Sequence, residues 1–86
     1  MFMWRHGGRD VKIAGDFTSW HPIDMFYSDF VWKSEQRLDY GLHRFKFIVD
    51  GSWVCDDEMT KDVQNGIWNN TILVTPKSPM RRIRSQ

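Results

Sequence analysis

The chain has 86 residues, a formal net charge of +1 and five tryptophans, a size that fits one small domain and leaves little volume for a deep catalytic cleft. It contains no apolar run near the ~18 residues that cross a membrane as a helix, and its single cysteine, Cys55, rules out an intrachain disulfide. Charge is unevenly placed. Residues 77–86 hold Lys77, Arg81, Arg82 and Arg84 and no acid, so against the overall +1 the rest of the chain is net −3, which makes that body a poor general ligand for polyanions.

Phe2-Met3-Trp4-Arg5 predicts a short opening strand, and Gly7-Gly8 a turn. Val11, Ile13 and Gly15 alternate with Lys12 and Ala14 as a second strand, which Thr18-Ser19-Trp20-His21-Pro22 breaks into a loop. Residues 23–28 read as an irregular connection with Met25 or Phe26 tucked inward. A longer strand follows, with Phe30, Trp32, Ser34, Gln36 and Leu38 on one face, and Asp39-Tyr40-Gly41 turns the chain.

From Leu42 to Asp50 the alternation is clearest: His43, Phe45, Phe47 and Val49 point to the core and Arg44, Lys46, Ile48 and Asp50 point away. Asp50-Gly51 is a hairpin signal, and Ser52 to Cys55 returns. Residues 56–66 read as a long polar loop, and Asn69 to Val74 as a closing strand ended by Pro76. Short strands between turns and no long amphipathic helix predict an all-β fold, an antiparallel β-sandwich over residues 1–75. Residues 76–86 read as a basic flexible tail or linker.

Catalytic constellations are missing from the pattern. His6, His21 and His43 have no metal-ligand spacing, so no metal is expected. Asp56, Asp57 and Glu58 are adjacent acids on a loop, not carboxylates held across a sugar ring. Gly7-Gly8 lacks the lysine of a phosphate loop. The expectation is a protein that is not an enzyme and takes no cofactor. The lone cysteine, and no visible signal peptide after Met1, lead to a cytoplasmic compartment as the expectation.

Two tryptophans stand out by position: Trp20 in the loop after a strand, and Trp53 after the Asp50-Gly51 turn. Lys46 projects outward between Phe45 and Phe47, and Asn69 and Asn70 open the last strand. These residue types suit a sugar. An indole covers the C–H face of a glucose ring, while ammonium and amide groups bond its hydroxyls. The same residues are compatible with another account, in which both indoles anchor core or loops and Asn69-Asn70 is a side-chain-to-backbone turn motif. For Trp4, Trp32 and Trp68 the core reading is favoured.

Phe2-x-Trp4, Val11-x-Ile13-x-Gly15-x-Phe17-x-x-Trp20, Gly41-x-His43-x-Phe45-Lys46-Phe47-x-Val49-Asp50-Gly51-x-Trp53 and Gly66-x-x-Asn69-Asn70 occur in this order. Together they resemble the family 48 carbohydrate-binding modules, and among these the glycogen-binding domains of AMP-activated protein kinase β subunits. The resemblance runs from about Phe2 to Val74 and implies an immunoglobulin-like sandwich that binds α-1,4-glucan on one face. It implies Trp20 and Trp53 as stacking platforms and Lys46 and Asn69 as partners of sugar hydroxyls. Members of this type often carry an aliphatic clamp just before the glycine and a threonine just after it; here those two site positions are Asn65 and Ile67.

The expected partner is therefore an α-glucan polysaccharide or maltooligosaccharide, with kinase subunits met through a parent protein and no membrane. Two rivals stand beside this reading: a protein-docking module of the same fold without sugar affinity, and a nucleic-acid-binding relative using the Arg81-Arg82-Ile83-Arg84 tail, which the acidic body disfavours.

Overall fold

The computed structural model describes residues 1–76; from Lys77 onward the expected basic tail lies outside the described residues. The strands run β1 (Phe2–Trp4), β2 (Val11–Gly15), β3 (Ile23–Asp24), β4 (Phe26–Ser28), β5 (Val31–Ser34), β6 (Gly41–Val49), β7 (Ser52–Val54), β8 (Lys61–Gln64) and β9 (Ile67–Val74), with one 3-10 turn at Asp16–Thr18. One sheet has the order β1-β5-β4 and the other β3-β2-β6-β9-β8, with β7 added beside β6. All pairings among the described residues are antiparallel. The expected all-β, immunoglobulin-like sandwich is the architecture found.

Local chemistry explains the hairpins. Asp29-Phe30, Asp50-Gly51 and Asn65-Gly66 each join two strands as a two-residue turn, and both residues of each pair have positive φ (53° and 66°, 50° and 87°, 53° and 78°). Such turns match the right-handed twist of the strands they connect. Asp, Asn and Gly tolerate that backbone region; Phe30 does so against steric preference.

The core lies between the two sheets. Phe2, Trp4, Val11, Ile13, Met25, Phe45 and Phe47 form it, with Phe17, Trp32 and Leu38 packed against it. Phe2 meets Phe45 edge-on at 4.7 Å between centroids, and Trp4 meets Phe47 at 5.0 Å. Burying each such ring is worth about 1.5–3 kcal/mol, and the aromatic geometry adds roughly 0.5–1.5 kcal/mol per pair.

The structure departs from the sequence expectations in four places. Residues 23–28 form β3 and β4 rather than an irregular stretch, with Met25 buried and Phe26 exposed. The strand expected from Phe30 to Leu38 is only β5, because Phe30 belongs to the turn and Gln36 and Leu38 follow the strand's end. The expected loop over 56–66 contains β8, and β9 begins at Ile67, not Asn69, because Asn65-Gly66 makes a hairpin. Trp68 is half exposed and outside the core; it pairs with Val63 on the edge hairpin, with Lys61 Nζ 5.4 Å from its ring centre.

Asn70 ties the fold's least regular segment to its centre. Its side chain is fully buried; Oδ1 accepts from the Asp56 N–H at 2.7 Å, and Nδ2 donates to Asp56 O at 2.9 Å and Thr60 O at 3.2 Å. Asn70 thus bonds backbone groups, but across the fold to residues 56 and 60 from within β9 and not as a local turn motif. Asn70→Ala strands three polar groups, two of them on Asp56, and is expected to destabilise the domain by about 2–4 kcal/mol, read as a lower urea midpoint.

Candidate functional site

The site follows from how β6 is paired. One edge of β6 carries β2; the other carries β9 against Gly41–Phe45 and β7 against Phe47–Val49. Lys46 falls at the junction of these two partners. Phe45 and Phe47 are fully buried, so alternation turns Lys46 to the opposite face. Asn70 opposes Phe45 and Trp53 opposes Ile48, so Asn69 and Trp53 flank Lys46 on that outward face. Ala14 and Ile48 share the face and are buried, giving it an apolar floor.

Trp20 arrives from a different element. The 3-10 turn leaves β2 at Gly15 and ends with Ser19 and Trp20 both in the left-handed region (φ 54° and 61°), an uncommon conformation for residues with side chains. Local bonds hold it. The Trp20 N–H donates to Gly15 O at 2.8 Å, and Thr18 Oγ1 accepts from the Gly15 N–H at 3.1 Å and donates to Gly15 O at 3.0 Å.

These elements enclose an open groove of about 330 Å³ lined by Trp20, Lys46, Trp53, Ile67 and Asn69. Its walls are large apolar side chains left unusually open: Trp20 is 39% exposed, Trp53 47% and Ile67 57%. Among the described residues Lys46 has no carboxylate partner, so its ammonium is available. Five of the six sequence-selected residues thus meet. Asn65 is not in the lining; it supplies the left-handed position of the β8–β9 turn that carries Ile67. A larger hollow of about 440 Å³, lined by Met1, Glu35, Gln36 and Arg37, has no aromatic wall.

A second polar network braces the groove, and sequence reasoning overlooked its extent. Asp16 bonds both His43 Nδ1 at 2.7 Å and the Arg44 N–H at 3.0 Å, and Arg44 in turn donates through Nε and Nη2 to Asp62 of β8. The hydrogen bond to Asp62 holds the Arg44 guanidinium above its usual pKa. The signal available in sequence was the Asp16 after β2, a residue type that bonds backbone N–H groups at turns.

Histidine and acid also meet elsewhere. His6, Asp56 and Glu58 bring ligand-type atoms within 4.8 Å of one another, a grouping invisible in a chain where the histidines look scattered. Asp56 is buried there, with Oδ1 accepting from the Glu58 N–H at 2.9 Å and lying 3.0 Å from His6 Nε2, which staples the loop to β1.

A β-sandwich with an aromatic-walled groove laid open on one sheet face has the architecture of a carbohydrate-recognition module. The chain belongs to the family described as the glycogen recognition site of AMP-activated protein kinase, whose model matches residues 1–80. It is 35% identical over 75 residues to the 5'-AMP-activated protein kinase subunit beta-1 of Sus scrofa, covering 86% of this chain and 62% of that protein. It is 40% identical over 75 residues to the subunit beta-2 of Homo sapiens and of Mus musculus, covering 83% of this chain and 27% of each of theirs. The chain thus spans less than two thirds of these relatives.

Gly15 is where the loop's geometry is tightest. A Cβ there would lie 2.7 Å from Arg44 O and 2.7 Å from the Phe17 ring. Gly15→Ala is expected to cost about 1–3 kcal/mol in urea unfolding, as overpacking does, and to shift the Trp20 indole N–H resonance.

Proposed function

We propose that the groove binds linear α-1,4-glucan (glycogen, starch or maltooligosaccharide) and that the chain performs no catalysis. The observation that carries this is the convergence of two half-exposed indoles, a lysine with no carboxylate partner among the described residues and an asparagine amide on one sheet face, in a chain of the glycogen-recognition family. Trp20 and Trp53 stack on the C–H faces of glucose units, Ile67 adds an apolar edge, and Lys46 and Asn69 bond hydroxyls. An open, shallow groove suits a polymer, which must enter and leave along its length. The relatives are kinase subunits; by that likeness the module brings a parent kinase complex to polysaccharide in the cytoplasm.

Titration with maltoheptaose, followed by calorimetry, tests the reading. Trp20→Ala and Trp53→Ala are each expected to weaken binding by about 1–3 kcal/mol, the scale of aromatic stacking on a flat ligand ring, with urea stability retained. Lys46→Ala is expected to weaken it less. Because a neutral sugar releases no counterions, affinity is expected to stay nearly constant with salt, whereas nucleic-acid binding would fall steeply.

Protein docking has its own observation. The β4–β5 hairpin exposes Phe26, Tyr27 and Phe30, the last 89% exposed at positive φ. A module that only docks proteins would show no calorimetric response to maltoheptaose.

A further inference from the structure

His43 stands between the core and the loop that presents Trp20. Its Nδ1 is 2.7 Å from Asp16 Oδ1 and its Nε2 is 2.8 Å from the Asp39 carbonyl oxygen. Both partners are acceptors, so both ring nitrogens must carry hydrogen for both bonds to exist. A neutral imidazole has one N–H, and one contact would then set lone pair against lone pair. Only the imidazolium satisfies this geometry.

Asp16 opens the 3-10 turn that leads to Trp20, and its two bonds to β6, from His43 and from the Arg44 N–H, tie that turn to the central strand, beside the Trp20 N–H bond to Gly15 O and the stacking of Phe17 on Phe2. The turn ends in two consecutive left-handed residues, Ser19 and Trp20, a conformation that persists only where surrounding contacts enforce it. We propose that His43 is a positioning residue for Trp20, holding through Asp16 the turn that presents the indole, so that glucan affinity falls as the imidazolium loses its proton.

The charged groups around His43 all act in one sense or are already engaged. Asp16 approaches from the turn and Asp39 from the loop before β6; Arg44, next on the strand, is occupied by Asp62 of β8. The hydrogen bond to Asp16 is the larger cause, and that to Asp39 O the next, raising the His43 pKa above the usual imidazole value. A histidine raised on folding favours the native state below its unfolded pKa, and that contribution is lost as pH rises through the higher folded value. The affected window therefore begins near neutrality and extends upward.

This inference rests on the glucan reading, and the experiment keeps the two apart. Maltoheptaose binding to the chain is measured by calorimetry from about pH 6 to about pH 9, with NMR following the His43 ring and the Trp20 indole N–H in sugar-free protein. Affinity is expected to weaken on the order of threefold or more across the range, and the Trp20 resonance to titrate with the His43 midpoint. His43→Gln is expected to flatten both profiles, and His21→Gln, adjacent to Trp20, to leave them. Binding that is constant with pH, or a slope that His21→Gln abolishes, overturns the inference while leaving the glucan reading intact. If no sugar binds at any pH the glucan reading fails, and the inference with it, but the Trp20 resonance still decides the coupling: a signal independent of His43 refutes it even if His43→Gln does not fold.

Discussion

The two-residue alternation of β6 is the constraint on which the rest depends. A strand that sends Phe45 and Phe47 into the core has no choice but to send Lys46 to the other side. Because β6 is central, with β2 on one edge and both β7 and β9 on the other, whatever lies opposite Lys46 is delivered by its neighbours' registers. A slip of one residue in either pairing would remove Trp53 or Asn69 from that face. The core and the groove are therefore two sides of one ladder.

The groove's cost is visible in what it leaves open. A small domain depends on burying its large apolar side chains, yet Trp20, Trp53 and Ile67 remain substantially exposed. Stability is recovered elsewhere: in the Phe2, Trp4, Phe45 and Phe47 cluster, in Asn70's buried hydrogen bonds to the 56–60 loop, and in three hairpins closed by turns of matching twist. Asp16 extends this bracing to the loop of Trp20, the one groove element outside the strands. Rigid strands set four of the proposed sugar contacts, and a strained turn sets the fifth.

Much of this was legible in the residues because it is local. Alternation from Leu42 to Asp50 identified β6 and its two faces, and Asp50-Gly51 identified the hairpin that returns Trp53. The Asn65-Gly66 turn carried an equally strong signal, and reading it as part of a loop hid β8 and the true start of β9. Asn65, a site position by the resemblance, supplies the left-handed position of that turn and lies outside the groove lining. Phe30 misled for a physical reason: a bulky residue at positive φ opposes the preference that sequence reading relies on. Trp68 misled because it sits on the edge hairpin, half exposed, with Lys61 Nζ and not the core against its ring.

What the sequence determined by itself was the fold class, the inward set of β6 and the residue types fit for a sugar, since period, turn chemistry and side-chain character are properties of neighbours along the chain. Only the tertiary structure decided that Trp20, Lys46, Trp53, Ile67 and Asn69 share one groove, that Asn70 rather than Asn69 is the buried brace, and that His43 faces Asp16 and Asp39 together. Those facts depend on strand register and on contacts between residues 16 and 43 or 56 and 70, distances along the chain that no local pattern encodes.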